Sequence, residues 1–188
     1  MTVKNLKKQM RREVREAVRA LEPAYCEEAD ERIADLVAGL PEYDEADTIF
    51  CFVGTADEID TMKLIRRAWE TGKRVGVPRC IKMGEMVVQE IRSEEDLENG
   101  SYGIREPKVV CPEIDGGEID FVIVPCMTCS HDGRRLGYGG GFYDRFLSGI
   151  DVPMAVICRE KIMRDDIIME AHDRRIGIVV SEKGIERN

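Results

Sequence analysis

The stretch that most restricts the fold is DTIFCFV (47–53), a short and mostly apolar run. A strand with one wet face alternates polar and apolar residues, so this run predicts a strand covered on both faces. EIDFVIVP (118–125) is the clearest further strand. RVGVP (74–78), MVVQEI (86–91) and PMAVIC (153–158) read the same way, and IGIVVS (176–181) reads as the last strand of the chain. Helical spacings lie between them. Val3, Leu6, Met10, Val14, Ala17, Val18 and Leu21 predict a helix over 3–21. Pro23 suits the first turn of a second helix running to about Gly39. DEIDTMKLIRRAWETGK (57–73) predicts a third, with Met62, Ile65 and Trp69 inward, and YDRFL (143–147) begins a fourth. Strands alternating with helices predict a three-layer α/β/α fold, a mostly parallel Rossmann-like sheet with helices on both faces, in one domain over 1–188.

Composition narrows the function. A net charge of −9 argues against nucleic acid as a partner, so an anionic ligand needs a local basic pocket. No apolar run is long enough to cross a bilayer, and the first residues lack a signal peptide's apolar centre. A cytoplasmic chain is expected. Its seven cysteines then read as reduced and mostly buried. CMTC (126–129) has redox or half-zinc spacing, but no second CxxC exists and only His131 and His172 offer nitrogen. A closed zinc site needs four ligands and is not expected.

The densest chemistry is RRLGYGGGFYDRF (134–146), which follows the clearest strand. In open α/β sheets, ligands bind beyond the carboxyl ends of strands. Gly137, Gly139, Gly140 and Gly141 allow positive φ and bare backbone amides, a nest for an anion beside Arg134 and Arg135. No P-loop motif is present, and GxGxxG fails at Phe142. On the first helix Lys4, Lys8, Arg15 and Arg19 point away from the apolar stripe, whereas Lys7 and Arg11 lie one turn apart at its edge. They can reach the same phosphate or remain solvated. Glu58 is a helix-start carboxylate or a ligand acceptor. Asp144 and Asp173 are caps or, beside a phosphate, Mg²⁺ carboxylates. His172 reads as a structural histidine.

GRRLGYGGGFYDRFL resembles the signature of the 5-formyltetrahydrofolate cyclo-ligase family, also called methenyltetrahydrofolate synthetases. The likeness extends over nearly the whole chain through Lys7 and Arg11, DEIDT, YGIREP (102–107), IDFVIVP and the HD before IVVSE. It implies ATP-dependent ring closure of a reduced folate. ATP phosphorylates the formyl oxygen of 5-formyltetrahydrofolate, N10 attacks the activated carbon, and 5,10-methenyltetrahydrofolate, ADP and phosphate result. By this resemblance Lys7, Arg11, Arg135, Leu136, Gly137, Tyr138, Gly139, Gly140, Gly141, Phe142 and Tyr143 hold ATP, with Arg135 and Tyr143 the catalytic candidates. Val53, Glu58, Tyr138, Gly139, Gly140, Gly141 and Phe142 contact the folate, and Asp144 and Asp173 carry Mg²⁺. The implied state is a monomer or weak dimer without nucleic-acid or membrane partners. Where relatives carry proline–glycine after the strand, this chain has Pro125 and Cys126. Two rival readings are an ATP-independent enzyme acting on a sugar phosphate or CoA thioester, and a folate- or nucleotide-binding regulator.

Overall fold

The computed structural model describes residues 2–100, 103–170 and 173–188. Tyr102 and His172 lie outside the described residues. The helices are α1 (Val3–Arg19), α2 (Pro23–Ala38), α3 (Pro41–Glu45), α4 (Met62–Glu70) and α5 (Phe142–Leu147). The strands are β1 (Thr48–Phe50), β2 (Arg74–Lys82), β3 (Glu85–Ile91), β4 (Leu97–Asn99), β5 (Arg105–Pro107), β6 (Glu113–Ile114), β7 (Phe121–Val124), β8 (Thr128–Cys129), β9 (Arg135–Leu136), β10 (Met154–Ile157), β11 (Ile178–Ser181) and β12 (Gly184–Arg187).

Eight strands form one sheet in the order β12-β11-β10-β7-β1-β2-β3-β6. The central five, β11 to β2, pair in parallel, with Ile49 level with Val75 on one side and Phe121 on the other. β1, β7, β10 and β11 are buried at every position, as strands covered on both faces must be. Phe50 and Phe121 are fully buried, and each contributes up to about 3 kcal/mol by leaving water.

Two apolar layers flank the sheet. One joins Ile33 and Val37 of α2, Tyr43 of α3 and Leu64 and Ile65 of α4 to Ile49, Phe121 and Ile157. The other joins Leu147 of α5, Ile150 and Cys129 to Phe50, Val122 and Val156. The three-layer α/β/α architecture is therefore present, although the second face carries one short helix and loops.

Three expectations change in detail. The helix expected over 57–73 spans only Met62–Glu70, because Thr61 is tied back: its Oγ1 donates to Phe52 O at 2.6 Å and accepts from Gly54 N at 2.9 Å. β3 runs antiparallel to β2 across a tight turn at Met83–Gly84. IGIVVS is not the final strand, since β12 turns back antiparallel on it.

Candidate functional site

β1, β7 and β10 are parallel neighbours, so the loops leaving them meet at one sheet edge. After β7 the chain forms a small hairpin, β8 with β9, which sequence reasoning did not anticipate. α1 crosses this hairpin because its apolar stripe needs cover: Met10 and Val14 pack on Met127, Leu136 and Ile167. That contact fixes the register of the helix. Lys4, Lys8, Arg15 and Arg19 are exposed, while Lys7 and Arg11 are part-buried, Lys7 against Glu170 and Asp173 and Arg11 against the glycine segment.

The glycine segment leads from β9 into α5. Gly139 has φ 98° and Gly141, the residue preceding α5, has φ 68°. Gly137 and Gly140 do not use the left-handed region. Two arginines hold the bend from outside. Arg11 Nε donates to Gly137 O at 2.8 Å. Arg145 donates to Gly140 O at 2.6 Å and to Gly84 O at 2.7 Å, tying the bend to the β2–β3 turn. Among the described residues, the amides of Gly139, Gly140 and Gly141 donate to no protein acceptor.

Each carboxylate expected to hold metal is paired with a cation expected to hold phosphate. Arg135 donates to Asp144 Oδ1 and, at 3.2 Å, to Pro125 O. Lys7 Nζ donates to Asp173 at 2.6 Å and to Glu170 at 2.9 Å. Burial opposes the Lys7 charge, but the bonds to Asp173 and Glu170 outweigh it and raise its pKa. Arg11 stands between these pairs: burial and Arg15 depress its pKa, while Asp173 and Asp144 both act to restore it. Two buried polar atoms of the same group, Arg135 Nε and the Tyr143 hydroxyl, have no partner among the described residues. The Tyr143 ring stacks on Phe50 at 5.8 Å, and burial pushes its phenol pKa up.

Beside this cradle lies a small cleft, open to solvent, with a cavity volume of about 110 Å³. Val14, Arg15 and Val18 of α1 line it together with Glu58 and Tyr138. Tyr138 is 49% exposed, and partial desolvation with the nearby Glu58 carboxylate raises its phenol pKa. Glu58 is held in place: its Oε2 accepts from Thr55 N at 2.9 Å, and its carbonyl accepts from Arg159 at 2.8 Å.

The structure thus gathers Lys7, Arg11, Arg135, Tyr143, Asp144, Asp173 and the glycine bend, and sets Glu58 and Tyr138 in the adjoining cleft. Phe142 lies half-buried against Gly140. Val53 and Leu136 are not brought to the cleft surface, for both are buried in apolar clusters. Sequence reasoning missed Asp30 and Arg159. Both are buried, and they form a two-pronged pair at 2.7 and 2.8 Å. Asp30 also accepts from Asp60 N at 2.9 Å, so this pair anchors both sides of the Glu58 loop. The available signal was a lone carboxylate among Ala29, Ile33, Ala34 and Val37 on the inner stripe of α2.

The sequence profile of the 5-formyltetrahydrofolate cyclo-ligase family matches residues 3–182. The chain is 32% identical over 137 residues to the 5-formyltetrahydrofolate cyclo-ligase of Escherichia coli strain K12, covering 71% of this chain and 75% of that one. It is 26% identical to the Mus musculus 5-formyltetrahydrofolate cyclo-ligase over 97% of this chain and 96% of the relative. In fold it is similar to the 5,10-methenyltetrahydrofolate synthetase of Aquifex aeolicus, with a TM-score of 0.84 at 23% identity over 97% of this chain and 92% of the other. The Mycoplasma pneumoniae 5,10-methenyltetrahydrofolate synthetase gives a TM-score of 0.76 at 19% identity, covering 94% and 98%.

Proposed function

The chain belongs to the 5-formyltetrahydrofolate cyclo-ligase family, and we propose that it closes 5-formyltetrahydrofolate to 5,10-methenyltetrahydrofolate with ATP and Mg²⁺, releasing ADP and phosphate. It is an enzyme of one-carbon folate chemistry, and the ring closure is its reaction. The observation that carries the reading is the position of Tyr138. It follows Gly137, whose carbonyl is held by Arg11, and it also lines the cleft with Glu58. A phosphate cradle and a ligand cleft therefore share one residue, as direct transfer between two bound substrates requires.

The residues present fit a nucleotide's phosphates. Free amides at Gly139 to Gly141, the unpartnered Arg135 Nε and the Tyr143 hydroxyl supply donors, and Lys7 and Arg11 supply charge. When bound, Mg-ATP supplies the activated phosphoryl group that turns the formyl oxygen into a leaving group. Phosphoryl transfer asks the protein mainly for alignment and neutralisation of charge. Arg135 and Arg11 neutralise the phosphate chain, Tyr143 donates from a dry site, and Asp144 and Asp173 are the carboxylates for the metal. Glu58 accepts from the folate ring, and Tyr138 donates its proton in a hydrogen bond across the cleft. No side chain becomes covalently modified.

We place the enzyme in the cytoplasm as a monomer or weak dimer with no nucleic-acid partner. No helix of the described residues is long and apolar enough to cross a membrane, and the net charge of −9 disfavours nucleic acid. The test is direct. Purified protein with 5-formyltetrahydrofolate and Mg-ATP is expected to develop methenyl absorbance, and to develop none when ATP is withheld. Nucleotide binding without product would favour a regulator, and indifference to ATP would end the ligase reading.

A further inference from the structure

The sequence offered CMTC as half of a metal site with no mate. The fold supplies a third sulfur. β7 and β10 pair in parallel with Val124 level with Val156. Continuing that register by two residues brings Cys126 level with Cys158, on the same face of neighbouring strands. The β8–β9 hairpin then folds back and delivers Cys129 to them. The three Sγ atoms all lie within 4.8 Å of one another. Cys129 and Cys158 are buried, Cys126 is part-buried, and all three are free thiols.

We propose that Cys126, Cys129 and Cys158 form a three-thiolate site for one thiophilic divalent cation, with zinc as the probe. Tetrahedral zinc–thiolate bonds of about 2.3 Å place the sulfurs about 3.8 Å apart, so the cluster contracts by no more than roughly 1 Å to close on the ion. Cys126 and Cys158 also line the cleft that holds Glu58 and Tyr138. The fourth position of the ion therefore opens toward the cleft, where water or an incoming ligand atom completes it. Among the described residues no His, Asp or Glu joins the three sulfurs within that distance.

Thiolates, not thiols, ligate a metal, so the protons on the sulfurs leave to solvent as the ion binds. A disulfide would use two of the three sulfurs, strand the third, and require an external oxidant. This inference does not depend on which molecule fills the cleft.

The protein, reduced and freed of metal with a chelator, is titrated with Co²⁺ and then Zn²⁺. One Co²⁺ per chain is expected, with thiolate-to-metal charge-transfer absorption, displacement by one equivalent of zinc, proton release, and protection of three of the seven cysteines from a thiol reagent. Cys126→Ser is expected to weaken cobalt binding at least about tenfold, whereas Cys26→Ser, outside the three-sulfur cluster, leaves it unchanged. Since replacing buried Cys129 or Cys158 could unfold the chain, X-ray absorption on zinc-loaded wild type gives a second reading, with three sulfurs expected around the ion. Absence of the charge-transfer band, its survival in Cys126→Ser, a sulfur count below three, or closure of a disulfide in place of metal uptake would each overturn the proposal.

Discussion

Arg135 donates to the carboxylate of Asp144, so a cation expected to grip phosphate holds a carboxylate expected to grip metal. The Arg135 side chain is 6% exposed and that of Asp144 33% exposed. Arg135→Ala is expected to lower Mg-ATP affinity about tenfold to a hundredfold, the effect of losing a charge-assisted bond. It also leaves Asp144 unpaired in a partly solvated place, a loss of about 1–2 kcal/mol after discounting for solvent. Arg135→Ala with Asp144→Ala should regain part of that stability but none of the nucleotide affinity. Calorimetric titration and thermal melts of wild type and the two variants separate the two effects.

Lys7 is part-buried and pairs with Asp173 at 2.6 Å, which makes it the lysine of α1 proposed for the cradle. Lys7→Ala is expected to weaken nucleotide binding about tenfold. Lys8 is exposed, so Lys8→Ala should stay within about twofold, as removal of a solvated surface charge does. Equal effects of the two variants would show that this helix register does not govern nucleotide binding.

Much of this was legible because it is local. α1 announces itself by spacing, β1 and β7 by unbroken apolar runs, and the glycine bend by composition. What escaped was pairing over long separations. Asp30 and Arg159 meet across 129 residues of sequence, and Cys158 reaches Cys126 only through the register of two strands. The short hairpin β4 with β5 carries no periodicity to detect, since each strand has three residues. The direction of β3 also lay beyond spacing alone, because a strand's apolar pattern does not record the orientation of its neighbour.

Asp30→Ala tests the buried anchor of the Glu58 loop. It strands the Arg159 guanidinium in a dry site and releases Asp60 N, and a stability loss of about 3–5 kcal/mol is expected. Glu58 then loses rigid support, so KM for the folate should rise more than kcat falls. Asp30→Asn keeps acceptor geometry without the charge and should fall between wild type and Asp30→Ala in both readouts. Denaturant unfolding and steady-state kinetics provide the comparison.

His131 supplies a pH dependence of stability. Its ring nitrogens lie 3.3 Å from Asp165 and 3.1 Å from Glu160, and these carboxylates raise its pKa. A raised folded-state pKa stabilises the protein fully below the unfolded value of about 6.5 and ceases to do so as pH climbs through the higher folded value. The side chain is 46% exposed, so the contribution is below about 1 kcal/mol. His131→Gln should remove this component of the pH–stability curve from about pH 6 upward and leave the carboxylate limb at lower pH in place.

Gly139 tests whether the bend itself, and not merely the charges around it, makes the nucleotide site. Its φ of 98° is strained for any side chain, and an added Cβ would stand 3.2 Å from Arg11 Cζ. Arg11 is flexible, so it should yield by leaving Gly137 O, where its Nε is now bonded at 2.8 Å. Gly139→Ala is therefore expected to cost about 1–2 kcal/mol in backbone strain and to weaken Mg-ATP binding as well. Gly72 is the control: its φ is 77°, with open space where the Cβ would go. Gly72→Ala should lose similar stability and keep wild-type nucleotide affinity. If both variants bind Mg-ATP equally well, the bend does not shape the phosphate site and the cradle must be sought elsewhere on the sheet edge.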